Sequence, residues 1–195
     1  LQWATGKRLD EKAQGRHQGV MALCSPGKTY DEKFLLDLAE DKGGEAFFLM
    51  LDGVTDPHNL GACLRSADGA GINLVVIPTD RSAGLTDVVR HVASGAAEAL
   101  PLARVRNLAR FMKELNQRAI KMVGTSDQAK ITIFESDLKG PLALVVGAEG
   151  TGIRRLTADN CDVLINIPMR GTVECLNVSV ATGVCLFEAF RQRRS

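Results

Sequence analysis

The sequence predicts an α/β protein whose mostly parallel sheet carries helices on both faces. Three observations point there. Short apolar runs without polar alternation recur from Phe47 onward, among them FFLML, LVVI and LALVV, and such runs belong to strands buried on both faces. Helix-length segments separate these runs, and strands that alternate with helices build parallel sheets. A chain of 195 residues, 45% apolar and 24% charged, holds one sizeable core but not two ordinary domains.

The elements follow in order. Residues 1–45 mix both charges with glycines at 15, 19, 27, 43 and 44 and read as a linker, a lead-in to the main body. Within them His17–Leu23 predicts a short strand. Asp31–Asp41 predicts an amphipathic helix with Phe34, Leu35 and Leu38 on one face. The Gly43-Gly44 pair then breaks the chain, and residues 46–195 form the regular domain. Phe47–Leu51 is the first buried strand. Asp56-Pro57-His58-Asn59 is a turn and helix start, with Pro57 suited to the turn and Asn59 a good N-cap. That helix runs to about Ala70. Leu74–Ile77 is the next strand, closed by Pro78. A helix over Leu85–Ser94, a strand over Leu102–Val105 and a helix over Asn107–Arg118 follow. Ile120–Val123, Leu142–Val146 and Val163–Ile167 are strands, and a long helix spans Asn177 to Arg191.

Composition narrows the function. Net charge is +1, from 24 basic and 23 acidic residues, and aromatics are 5%. These values exclude a strongly basic nucleic-acid arm and a row of base-stacking aromatics. A local excess remains: between Arg81 and Lys121 stand eight basic residues against three acidic ones. Two readings fit that stretch, a solvated helix face or a set of phosphate contacts. No apolar run approaches the roughly 18 residues of a membrane-spanning helix. The N-terminus, Leu1 to Arg8, lacks the apolar core of a signal peptide and an initiator Met, and reads as a start inside a longer protein. Cys24, Cys63, Cys161, Cys175 and Cys185 make no C-x-x-C pair and no ligand cluster with the three histidines. This pattern predicts reduced thiols, a cytoplasmic location and no metal site.

Parallel sheets bind ligands outside the carboxyl ends of their strands, and three glycine-marked loops fall there. The first, after Leu51, leads into Asn59, Gly61 and Arg65. Gly61 early in a helix costs about 1 kcal/mol relative to Ala, which suggests close approach by a ligand or a partner chain. Arg65 either pairs with Asp68 one turn on or serves a ligand. The second loop, Gly147-Ala148-Glu149-Gly150-Thr151-Gly152, is not a phosphate-binding P-loop, because no Lys follows its last glycine. It is a surface turn, or a backbone that passes close to something with the Glu149 carboxylate at its centre. The third follows Ile167 through Pro168, Met169 and Gly171 to Asn177, again an N-cap or a ligand-facing amide. Asn177-Val178-Ser179 also matches a glycosylation sequon, a false positive in a cytosolic chain.

In this order the three loops are specific. N-x-G-x-x-x-R (Asn59, Gly61, Arg65), G-x-E-G-x-G and I-P-M-x-G…L-N-V-S-V-A closely resemble the motifs of the SpoU/TrmH family of RNA ribose 2′-O-methyltransferases, within the knotted SPOUT superfamily. The resemblance covers roughly Phe47 to Ser195, and His17-Gln18-Gly19 is similar to the family's linker. The strings LDGVTDPHNLGACLRSAD and LNVSVATGVCLFEA are most similar to the bacterial 23S rRNA guanosine branch.

The resemblance implies a deep C-terminal trefoil knot holding S-adenosylmethionine largely by backbone groups. Gly147, Ile167 and Leu176 would bind it, with Met169 nearby. Asn59, Arg65, Glu149 and Asn177 would stand at the reaction centre. A guanidinium is effectively always protonated and makes a poor base, so Arg65 is expected to bind phosphate and stabilise the developing alkoxide. The family's homodimers imply an interface to which Gly61 and the apolar face of the last helix (Val180, Val184, Phe187) would contribute, with Arg65 serving either its own site or the partner's. An N-terminal RNA-binding domain similar to ribosomal protein L30e is implied as well and would be absent from this chain. The tail residues Arg191, Arg193 and Arg194 join the phosphate-contact candidates. One position departs from the pattern, with Cys175 where the family commonly has Ser. Two alternatives stand beside the 23S rRNA reading: a tRNA substrate, and a non-catalytic module that binds RNA or assembling ribosomes.

Overall fold

The computed structural model describes residues 2–13, 17–22, 30 and 32–194. Among them, seven strands form one sheet: β1 (Phe47–Asp52), β2 (Leu74–Pro78), β3 (Leu102–Val105), β4 (Lys121–Thr125), β5 (Ile131–Thr132), β6 (Leu142–Gly147) and β7 (Val163–Asn166). Their order is β3-β2-β1-β6-β4-β7-β5, and every neighbouring pair is parallel. The helices are α1 (Gly6–Asp10), α2 (Glu32–Lys42), α3 (Pro57–Gly69), α4 (Asp87–Ala93), α5 (Ala96–Ala99), α6 (Leu108–Asn116), α7 (Arg155–Ala158) and α8 (Val178–Arg193).

All six residues of β1 are buried, and they divide by the period of two that a strand imposes. Phe47, Leu49 and Leu51 enter one core with residues of α3, α4, α5 and α8. Phe48 and Met50 enter the other with residues of α2 and α6. Helices therefore cover both faces, as the apolar runs require. On α6 the buried Leu108, Phe111, Met112 and Leu115 follow helical spacing. The same logic buries Leu35 and Ala39 of α2, while Phe34 stays exposed and stacks on Tyr30.

Several expectations need correction. The strand expected at His17–Leu23 is not formed over described residues 17–22. His17 Nδ1 instead accepts from the Gly19 amide at 2.9 Å, closing a turn; Leu23 lies outside the described residues. Asn59 is not the cap of α3. Asp56 is, its carboxylate accepting from the His58 amide at 2.9 Å, with Pro57 opening the first turn as proline suits. Gly61 does allow a close approach, but from within the chain. A Cβ there would meet Val92 Cβ at 2.7 Å and the Val89 carbonyl oxygen at 2.8 Å, so the glycine lets α4 pack directly on α3.

The chain leaves β1 toward β2 and β3 on one side, while β6, β4, β7 and β5 lie on the other. The direction of winding reverses between β1 and β6. Ligand crevices of open α/β sheets form outside the carboxyl ends at such a reversal.

Candidate active site

The carboxyl ends of β1 and β6 carry Asp52 and Gly147, which pair in register. From the first, a short turn leads to α3 and places Asn59 in its opening turn, side chain free because Asp56 does the capping. From the second, the loop doubles back on itself. Gly152 N donates to the Ala148 carbonyl at 2.9 Å. A Cβ on Gly147 would lie 1.9 Å from Gly152 C and 2.1 Å from Ile153 N, so no other residue fits. The close contact inferred for this loop is thus with its own far limb.

That fold-back presents Glu149 to two asparagines from distant segments. Asn177 Nδ2 donates to Asn59 Oδ1 at 3.1 Å and to Glu149 Oε2 at 3.4 Å, and Asn59 Nδ2 reaches Glu149 Oε2 at 3.5 Å. Both readings of Asn177 hold at once. Its Oδ1 caps α8 by accepting from the Ser179 amide at 2.9 Å and from Ser179 Oγ at 2.7 Å, which leaves Nδ2 for the cluster. A carboxylate that accepts from two amides fixes both of their orientations. Glu149 and Asn177 are exposed and Asn59 is half-buried, so a substrate can reach the cluster.

Arg65 does not join the cluster. It lies on α3 nearly two turns beyond Asn59, exposed, and among the described residues it bonds to neither Asp68 nor any other group. The expected helix-face pair is absent. Of the residues assigned to the cofactor, Gly147 is buried, Ile167 is half-buried against the core, and Met169 and Leu176 are half-buried in the loop between β7 and α8. Among the described residues, no backbone group of 168–176 takes part in a hydrogen bond to another backbone group. Cys175 is exposed in the same loop.

Sequence reasoning missed the residues that hold the second loop. Asp52 ends β1 with its side chain wholly buried, and Arg154 binds it from both backbone and side chain. The Arg154 amide donates to Oδ2 at 3.0 Å, Nε donates to Oδ1 at 2.7 Å, and Nη2 completes the ion pair. One buried carboxylate therefore ties the start of the Asn59 turn to the end of the Glu149 loop. The signal was present, since a lone acidic residue closing an otherwise apolar strand must find a partner when buried. The tail arginines, by contrast, are engaged within the chain. Arg191 pairs with Glu188. Arg193 donates to the Glu45 carbonyl at 3.0 Å and lies 4.7 Å over the Phe47 ring. Arg194 sits 5.3 Å over Phe190.

A family model described as the SpoU rRNA Methylase family matches residues 46–187. The chain is 56% identical over 194 residues to the 23S rRNA (guanosine-2'-O-)-methyltransferase RlmB of Escherichia coli, covering 99% of this chain and 79% of that protein. It is 56% identical over 187 residues to the RlmB of Pseudomonas aeruginosa, covering 96% and 75%. Among solved structures, the SpoU methyltransferase AviRb from Streptomyces viridochromogenes, in complex with the cofactor AdoMet, superposes with a TM-score of 0.72 at 28% identity over 76% of this chain. This chain spans 61% of that structure's length. An AdoMet-bound rRNA methyltransferase from Sinorhizobium meliloti gives 0.71 at 30% identity over 79% of this chain and 59% of its own. Identity at this level along nearly the whole sequence, joined to a motif cluster assembled at the sheet's reversal point, makes the chain a member of the SpoU rRNA methylase family.

Proposed function

We propose that this protein transfers the methyl group of S-adenosylmethionine to the ribose 2′-OH of a guanosine in 23S rRNA. The observation that carries this reading is the meeting of Asn59, Glu149 and Asn177, from three separate segments, at the carboxyl end of the sheet. The relatives that share these segments at 56% identity are named for that reaction. This favours rRNA over tRNA, and the intact cluster favours an enzyme over a non-catalytic binding module.

The residues present fit the cofactor. Loop 168–176 offers backbone donors and acceptors that no other backbone group uses, beside the half-buried Ile167, Met169 and Leu176. Peptide groups framed by aliphatic side chains can hydrogen-bond an adenine and exclude water from it. When bound there, S-adenosylmethionine supplies an electrophilic sulfonium methyl. The chain's own groups do the rest. Glu149 holds the two asparagine amides in place, Asn177 spends both of its N–H groups on Asn59 and Glu149, and the remaining N–H of Asn59 orients the ribose. Arg65, permanently charged, binds the phosphate beside the target ribose and stabilises oxyanion character at the 2′ oxygen.

The further family features are read in the same way. A C-terminal knot within a domain spanning 46–195 is supported by the connection from β4 to β5, which arches over β7. Ser126 N bonds the Ile165 carbonyl at 2.9 Å and Ile133 N the Asn166 carbonyl at 2.8 Å, on either side of it. Beyond β7, α8 binds the next connection, between β5 and β6, Gln192 Oε1 accepting from the Leu138 amide at 3.0 Å. A homodimer is supported by the apolar stripe of α8, where Val180 and Phe187 are exposed and Val184 half-buried at helical spacing. An Arg65 without a side-chain partner among the described residues suits a role at the partner's site. An rRNA substrate supports a cytoplasmic location, and no helix among the described residues is long and apolar enough to cross a membrane.

The test is methyl incorporation from labelled S-adenosylmethionine into a 23S rRNA transcript. Glu149→Gln is expected to lower turnover about 10²-fold with the methyl donor saturating. Turnover near the wild-type value would remove Glu149 from the mechanism, and no incorporation by the wild type would overturn the function.

A further inference from the structure

The basic surplus between Arg81 and Lys121 splits in two once its partners are traced. Arg90 pairs with Glu98, Arg110 with Glu32 and Glu114, and Arg118 with Glu40. Lys121 donates to the Asp137 carbonyl at 2.7 Å. These cations are engaged within the fold. Arg81, Arg106 and Lys113 are not: all three are exposed, and none of their side chains bonds to any group of the described residues. Arg104, also exposed, uses one Nη to reach the Thr79 carbonyl at 2.6 Å.

These three arginines share one end of the sheet. Arg81 lies three residues past the end of β2, and Arg104 and Arg106 flank Val105, which pairs with Pro78 in register. Thr79 N bonds the Val105 carbonyl at 2.8 Å and locks the two strand ends together. Arg81 holds φ at +56°, a left-handed conformation uncommon for a residue with a side chain and worth inspection where it adjoins a site. It does adjoin one. The Arg81 carbonyl oxygen lies 3.9 Å from the Cβ position of Gly53, and Ala148 Cβ lies 3.6 Å from that same point, one residue from Glu149. Asp80, exposed in the same turn, offsets one of the three charges.

We propose that Arg81, Arg104 and Arg106 form a ridge that binds successive phosphates of the RNA strand and leads it into the site from the β2–β3 side. The inference rests on the rRNA reading above. Arg81 and Arg106, with no side-chain partner among the described residues, and Arg104, with only one Nη engaged, can grip phosphate oxygens in pairs, and each such contact releases counterions and steepens the salt dependence of binding.

The experiment compares Arg81→Gln, Arg106→Gln and their double variant with Arg118→Gln, a loss from the internally paired set. RNA affinity is measured by filter retention of a 23S rRNA transcript across a potassium chloride series, and methyl transfer is measured beside it. The double variant is expected to raise the KM for RNA about tenfold, keep kcat within about twofold, and flatten the slope of log Kd against log salt by about 0.7 per arginine. Arg118→Gln is expected to match the wild type. An unchanged affinity and slope in the double variant overturns the ridge, as does an equal weakening in Arg118→Gln. Filter retention does not depend on turnover. A wild type that binds RNA through the ridge but transfers no methyl group therefore overturns the activity while upholding the ridge.

Discussion

Asp52 and Arg154 set the geometry of the cluster without belonging to it. The Asp52 carboxylate is removed from water and compensated by three contacts from one residue, so its stability depends on that residue. Arg154→Ala should destabilise the protein by about 2 kcal/mol in urea unfolding, because a buried charge loses its side-chain partner and keeps only the backbone amide. Adding Asp52→Asn to that variant should recover part of the loss, since the uncompensated charge is then gone. Equal stability of the single and double variants would show that the pair is not coupled. Asn59 and Asn177 make the complementary point. Each was legible as an N-cap or as a functional amide. Only the position of Asp56 released Asn59 from capping, whereas Asn177 does both, because its Oδ1 and Nδ2 serve different partners.

At the scale of elements, long buried strands and the amphipathic α6 were readable from periodicity, while short pieces were not. The two residues of β5 and the four of α7 are too few to carry a period; β5 exists because β7 pairs with it, and α7 is a single turn closed on Arg154 and Arg155. The end of α8, by contrast, is held by pairs three and four residues apart on the helix itself. Glu188 accepts from Arg191 and Gln192, and these bonds hold its carboxyl down to about 2 from an ordinary value of 4.5. A carboxyl whose folded-state value is depressed contributes stability that is fully present above the ordinary value. That contribution is lost as pH falls toward 2. The difference in stability between wild type and Glu188→Gln, up to about 1 kcal/mol at neutral pH for a pair at the surface, should therefore shrink steadily between about pH 5 and pH 2 in acid-dependent thermal unfolding. A gap that stays constant over that range would deny Glu188 the role.

The whole molecule buries its thiols unequally, and labelling should read that out. Cys63 is pushed up to about 11 by burial, against a hydrogen bond with Thr182 that lowers it. Cys185 is pushed to about 12 by burial alone. Cys161 is also pushed to about 12, by burial first and then by the charges of Asp162 and Asp52. Cys175 is exposed. Of these four, Cys175 should react first with a thiol reagent at neutral pH, and Cys63 and Cys185 only on unfolding, because the thiolate is the reactive form. Peptide mass spectrometry after timed labelling decides it, and early modification of Cys185 would contradict the packing of α8.

By itself, the sequence determined the class of fold, the two-faced burial of its strands and the three loops that matter. Each of these follows from local pattern: apolar period, turn chemistry and a motif order shared with a family. The tertiary structure alone decided which residues meet. Asn59, Glu149 and Asn177 stand up to 118 positions apart in the chain and are joined by a reversal in strand order, which no local pattern encodes. It also turned the close approach at Gly61 into a contact within the chain, and sorted one basic stretch into arginines that are paired and arginines that have no partner among the described residues. The physical reason is common to all of these. Charge and conformational freedom are properties of a residue, but whether they are already used depends on what the fold places beside it.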